Sequence, residues 1–135
     1  MEDLFFEIKE SGSFLRLLPG KSQSHGFIKT HIEIKAGVFS GNYEAEFQLW
    51  DYNYLSEKFS YIYDNLDANF DFQNLERDLE LKISGDGTGH FNVVVSAYDA
   101  KRFPNENSLK FELFIDQTYI KDYIYQLGKI IKAYS

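Results

Sequence analysis

Histidine is the side chain most often used to move protons or hold metals near neutral pH, and this chain carries three, His25, His31 and His90. No two of them stand at the i, i+4 spacing of a zinc-binding helix or in the close cluster of a metal loop. His31 and Glu33 fall on one face of an alternating segment and could clip a cation, but Lys29 and Lys35 share that face and would repel it. The expected role of this quartet is therefore the wet side of a strand, with no metal. Cysteine is absent, which excludes disulfides, thiolate zinc sites, iron–sulfur clusters and thiol nucleophiles. No Gly-x-Ser-x-Gly elbow occurs, and Gly12-Ser13 reads as part of a hairpin turn.

The run Gly85-Asp86-Gly87-Thr88-Gly89 has the glycine density of a phosphate cradle but not its mechanics. A P-loop needs Lys-Ser or Lys-Thr and a helix N-terminus after the glycines. Here His90-Phe91-Asn92-Val93-Val94-Val95 begins a strand, and Asp86 would repel phosphate. A tight hairpin is the expected structure. Trp50-Asp51 is a propeller-type dipeptide without the repeat of about 40 residues that a propeller blade needs.

Carboxylates are the one chemical feature present in excess. Asp64, Asp67, Asp71, Glu76, Asp78 and Glu80 lie within one short stretch opposed only by Arg77. Two carboxyl groups in different environments can run acid–base hydrolysis, but the alternation around Asp71 and Glu80 places them on wet strand faces, where ordinary ionisation is expected. The stretch is better suited to steering a cationic partner. The six residues are accordingly the candidate partner-binding set, with no catalytic set and no cofactor expected.

The elements that would carry these residues follow from periodicity. With 44% hydrophobic and 26% charged residues, the 135-residue chain has the composition of one folded domain. Thirteen Phe and ten Tyr against two Pro favour a strand-rich, ring-filled core. Phe5 to Lys9 and Ser13 to Leu18 read as strands, followed by a polar loop from Pro19 to about Gly26. Ile28, Thr30, Ile32, Ile34 and Ala36 then share one face of a strand. Gly37 to Gly41 turns the chain, and Tyr43, Ala45, Phe47 and Leu49 form the inward set of the next strand. Tyr52, Leu55, Phe59, Ile62 and Leu66 recur at helical steps behind Asp51 as N-cap. Four more strands are expected at Ala68 to Phe72, Leu79 to Ser84, His90 to Ala100 and Leu109 to Ile115. A final helix has Ile120, Ile124, Leu127, Ile130, Ile131 and Tyr134 as its apolar stripe, capped by Asp116.

An offset of 65 residues superposes Leu49 on Phe114, Asp51 on Asp116, Leu55 on Ile120, Phe59 on Ile124 and Ile62 on Leu127. The predicted fold is α+β: a single domain over 1–135, mainly an antiparallel sheet of about eight strands with two helices on one face. A β4α pseudo-repeat would divide it into halves 1–66 and 67–135. Tyr52, Tyr54, Tyr61, Tyr63, Tyr119, Tyr123, Tyr125 and Tyr134 exceed what two buried stripes can hold, so some are expected at a protein interface.

A net charge of −7 opposes attraction to nucleic acid or anionic lipid. No apolar run is long enough to cross a bilayer, and Met1-Glu2-Asp3-Leu4 lacks the cationic start of a signal peptide, so a cytoplasmic location is expected.

Three stretches resemble the WapI-like immunity proteins and allied small bacterial proteins. They are Ile34 to Phe47 (Ile-Lys-Ala-Gly-Val-Phe-Ser-Gly-Asn-Tyr-Glu-Ala-Glu-Phe), the Gly85–Gly89 hairpin, and Leu109 to Ile120 with its Asp116-Gln117-Thr118-Tyr119 entry to the last helix. The likeness spans about Lys29 to Lys132, and the segment through Ile28 matches no pattern. It implies a cytoplasmic bacterial antidote that binds the toxic domain of a polymorphic or contact-delivered toxin, often a nuclease with a basic face. Asp116 is assigned to capping. The alternative is a non-catalytic module that binds a small molecule or self-associates, as a homodimer for example.

Overall fold

The alternating segments form strands and the i, i+3, i+4 segments form helices, as their periodicities require. A computed structural model of the chain describes residues 4–22, 26–99 and 107–135; His25 and Ala100 lie outside them. The elements run β1 (Phe6–Glu10), β2 (Ser13–Ser22), β3 (Phe27–Ala36), β4 (Phe39–Gln48), α1 (Leu49–Asp64), β5 (Asn69–Gln73), β6 (Leu79–Gly85), β7 (His90–Asp99), β8 (Asn107–Asp116), a short 3-10 turn (Gln117–Tyr119) and α2 (Ile120–Tyr134).

The α+β class holds, with eight antiparallel strands and two helices. The strands form two four-stranded sheets, in the orders β1-β2-β3-β4 and β5-β6-β7-β8, where the periodicity alone suggested one. The physical cause is α1: it carries the chain away after β4, and β5 starts a second meander in which, among the described residues, β5 pairs with β6 and with no strand of the first sheet. Each meander then ends strand, helix.

Burial confirms the repeat and corrects its register. The ten positions of β4 and the ten of β8 show the same succession of exposed, intermediate and buried residues. Aligning them superposes Gln48 on Asp116, an offset of 68, and pairs Tyr52, Leu55, Phe59 and Ile62 with Ile120, Tyr123, Leu127 and Ile130, all buried. The 65-residue echo differs by three positions, nearly one helical turn, so it keeps the apolar faces roughly in phase while misplacing the helix entry. Asp51 is not the N-cap. Gln48 is, and Asp51, at the third helical position, accepts from the Gln48 backbone N–H at 2.8 Å. Burial holds the Asp51 carboxyl above its usual range, and that hydrogen bond pulls the other way. Leu66 lies beyond the end of α1.

Two loops are shorter than expected. β3 and β4 are joined by Gly37-Val38 alone, with Ala36 opposite Phe39 and Gly37 at a φ of +63°. β2 continues through Pro19 to Ser22, with a register shift between those two residues. The proline is tolerated because β1 reaches only Leu17, which leaves that side of β2 without a partner strand.

Phe59 of α1 packs on Phe6 of β1, Phe70 of β5 and Tyr123 of α2, with ring centroids 5.7, 5.3 and 5.5 Å away. One ring thus joins both sheets and both helices, at edge-on or tilted angles that suit aromatic quadrupoles. A second cluster stacks Phe47 on Tyr52 and Phe72.

Candidate functional site

The six carboxylates of Asp64–Glu80 do not form one patch. Asp64, Asp67, Asp71 and Glu76 are exposed and Glu80 is half-buried. Asp78 is 7% exposed. Its carboxylate accepts from Asn74 Nδ2 at 3.1 Å, its backbone N–H donates to Asn74 Oδ1, and its carbonyl accepts from the Tyr43 hydroxyl at 2.6 Å. Asp78 therefore shapes the β5–β6 loop. Buried Asn74, which sequence reasoning passed over, is the centre of that loop and also donates to the Glu46 carbonyl of β4. Asp71 stands opposite Lys82 in the β5–β6 ladder, and Lys82 lies 3.8 Å from Glu80. A lysine just past the counted stretch thus offsets its charge, a cross-strand neighbour invisible to a linear count.

Asp64 and Asp67 belong to the other end of the molecule, where three chain reversals meet. The β6–β7 hairpin lies on the loop after α1: Gly85 N–H donates to the Ala68 carbonyl and Gly87 N–H to the Leu66 carbonyl. A Cβ on Gly85 would stand 2.1 Å from the Leu66 carbonyl oxygen, so that glycine is required by close approach. Gln117 N–H donates to the Gly89 carbonyl at 2.7 Å, and Gln117 Nε2 to the Tyr63 carbonyl. The glycine run is a hairpin, as its mechanics predicted.

The same device occurs twice here. Asp86 Oδ1 accepts from the Thr88 backbone N–H at 2.8 Å and from its hydroxyl at 2.7 Å. Asp116 Oδ1 accepts from the Thr118 N–H at 2.8 Å and from the Thr118 hydroxyl, capping the 3-10 turn. The threonine hydroxyl is the main cause that holds each carboxyl below the usual range, with the backbone N–H second. His90 stands opposite Asp116 in the β7–β8 ladder, with Nδ1 3.6 Å from Asp86.

Beside these turns the outer edges of the two sheets, β1 and β8, approach without pairing. Glu10 of β1 accepts from the Phe114 N–H of β8 at 2.8 Å. Gln126 of α2 accepts from the Glu7 N–H at 2.9 Å and donates to Asp122 at 3.0 Å. Between them opens a cleft of about 1030 Å³ lined by five carboxylates, Glu7, Glu10, Asp86, Asp116 and Asp122, against Lys9 and His90. Glu7 is committed to Arg16 at 2.6 Å. Among the described residues, no lysine or arginine lies within ion-pair distance of Glu10, Asp116 or Asp122. Phe114 (57% exposed) and Tyr119 (55%) line the same cleft. Of the eight helical tyrosines, Tyr52 and Tyr123 are buried, while Tyr61, Tyr119 and Tyr125 are exposed.

His31 and Glu33 lie on a charged strand face. Arg16 meets Glu33 at 2.9 Å and Lys29 meets Glu44 at 2.8 Å. Among the described residues, no group of three or more His, Asp or Glu could hold a metal ion, and no helix is long and apolar enough to cross a membrane.

Two successive β4α units, packed through a shared aromatic core, define the class of the fold. Among solved structures it is similar to the plant transcriptional regulator PBF-2, at a TM-score of 0.50 and 11% identity over 97% of this chain and 81% of that one. It is also similar to WHY1 from Arabidopsis thaliana, at 0.49 and 14% over 97% and 84%. At such identities the likeness concerns the fold alone. No curated protein matches the chain. The model of the immunity protein WapI-like family matches residues 5–135, and the chain belongs to that family. The match takes in β1 and β2, the segment in which no family pattern was legible.

Proposed function

We propose that this chain is a cytoplasmic immunity protein that neutralises a bacterial polymorphic or contact-delivered toxin by stoichiometric contact, without catalysis. The observation that carries this reading is the family match over residues 5–135. The surface supports it in sign, because a net charge of −7 suits a basic partner and repels nucleic acid and anionic membrane. In this reading exposed Asp64, Asp67, Asp71 and Glu76, with half-buried Glu80, speed the encounter, and exposed rings exclude water once contact is made. Asp78 serves the fold of its loop. The partner is a toxin domain with a basic face.

The test is coexpression with the toxin domain encoded beside the gene. Growth is expected to be rescued, and the two chains to copurify one to one. Toxicity that persists at equimolar immunity protein would end the reading.

A further inference from the structure

Building on that immunity reading, we propose that the toxin is engaged at the cleft between the β1 and β8 edges. The occupant is a lysine- or arginine-bearing segment of the toxin surface, flanked by apolar side chains. Three observations carry the assignment. The cleft is concave and, at about 1030 Å³, large enough for several side chains. Its lining is mainly acidic, five carboxylates against Lys9 and His90, and Glu10, Asp116 and Asp122, held in place by internal hydrogen bonds or by their own turn, have no lysine or arginine within ion-pair distance among the described residues. Its rim is apolar where the fold does not need it.

Outside the lining itself, a neighbouring tip adds further exposed apolar groups. Glu10 is the ladder partner of Ser13, whose hydroxyl accepts from the Gly37 N–H at 3.1 Å. The β3–β4 tip is thereby fastened to the hairpin that bounds the cleft. On it Val38 is 92% and Phe39 65% exposed. A two-residue turn of this kind is ordinarily filled by polar or glycine residues, so nothing in the local backbone calls for valine at its apex. An acidic hollow bordered by exposed apolar groups is complementary to a cationic segment with apolar flanks, and is poorly matched to a nucleic acid or an anionic lipid.

Two measurements separate this inference from the reading it rests on. In the first, the inactive toxin domain from the adjacent gene is titrated into wild-type chain and three variants, with melting temperature as the folding check. Phe114→Ala/Tyr119→Ala/Asp122→Asn is expected to weaken binding at least ~30-fold, the scale of an interface hot spot. Val38→Ser/Phe39→Ser, on an exposed tip, is expected to weaken it about 10-fold. Glu57→Gln, on the wet face of α1, is expected to bind as wild type does. Wild-type affinity in both cleft and tip variants would overturn the surface while leaving the immunity role intact. Failure of the wild type itself to bind would overturn the role and the surface with it. In the second, amide shifts of the free chain are followed during titration with blocked Arg-Phe-Arg tripeptide. Shifts are expected at residues 10–13 and 114–122; shifts confined to the Lys29–Lys35 face would overturn the assignment.

Discussion

Asp116, legible in the sequence as a cap, caps the 3-10 turn that leads into α2, whose own N-cap position is Tyr119. The Asp116 carboxylate is held low by the Thr118 hydroxyl first and the Thr118 N–H second. A depressed folded-state value means that its stabilising contribution is present above the unfolded value of about 3.9 and is lost as pH falls through the folded one. Thr118→Ala should move the carboxyl midpoint upward toward that reference, read by NMR titration of the Asp116 side chain; an unchanged midpoint would reassign the cause. Phe59 belongs to the same scale. Removing its ring by Phe59→Ala should cost about 3–5 kcal/mol in chemical denaturation, because the cavity opens where four elements meet. Helical spacing identified Phe59 and the cap motif identified Asp116. Tyr123 and Gln126 escaped because a tyrosine and a glutamine on a helix read as surface, and only the arrival of β1 beside α2 buries them. Asp78 escaped for the complementary reason: its exposure is decided by Asn74 and Tyr43, which no local pattern connects to it.

At the scale of elements, strand periodicity carried most of the information. β3 and β4 alternate as expected, and their hairpin is simply tighter than the glycines suggested. Helix boundaries were harder to place, since Asp51 is a good capping type at a position three residues inside the true start. Its actual work predicts a modest effect: Asp51→Ala should lower stability by roughly 1 kcal/mol through loss of the reciprocal half of the capping box. Gly85→Ala should do far more, because its methyl group would meet the Leu66 carbonyl oxygen. Thermal melting is expected to show a severe loss for Gly85→Ala. An alanine variant that melts near wild type would mean the β6–β7 hairpin can shift away from the loop after α1.

For the molecule as a whole, electrostatic encounter makes a rate prediction. Association with a basic toxin domain should slow steeply between low and physiological salt, while dissociation changes little, as stopped-flow mixing would reveal. A rate insensitive to salt would remove steering from the mechanism. The whole-molecule charge was readable from composition, but the cleft was not. It is assembled from β1, the β6–β7 hairpin, the end of β8 and the start of α2, which are brought together only by the closing of the second unit against the first.

Glu10 has a consequence for self-association. An outermost strand offers unsatisfied amides that invite another chain to add itself. By occupying the Phe114 amide with a charged acceptor, Glu10 denies that foothold to a foreign strand and places a negative charge where one would have to dock. That border is therefore closed to strand addition at the Phe114 amide.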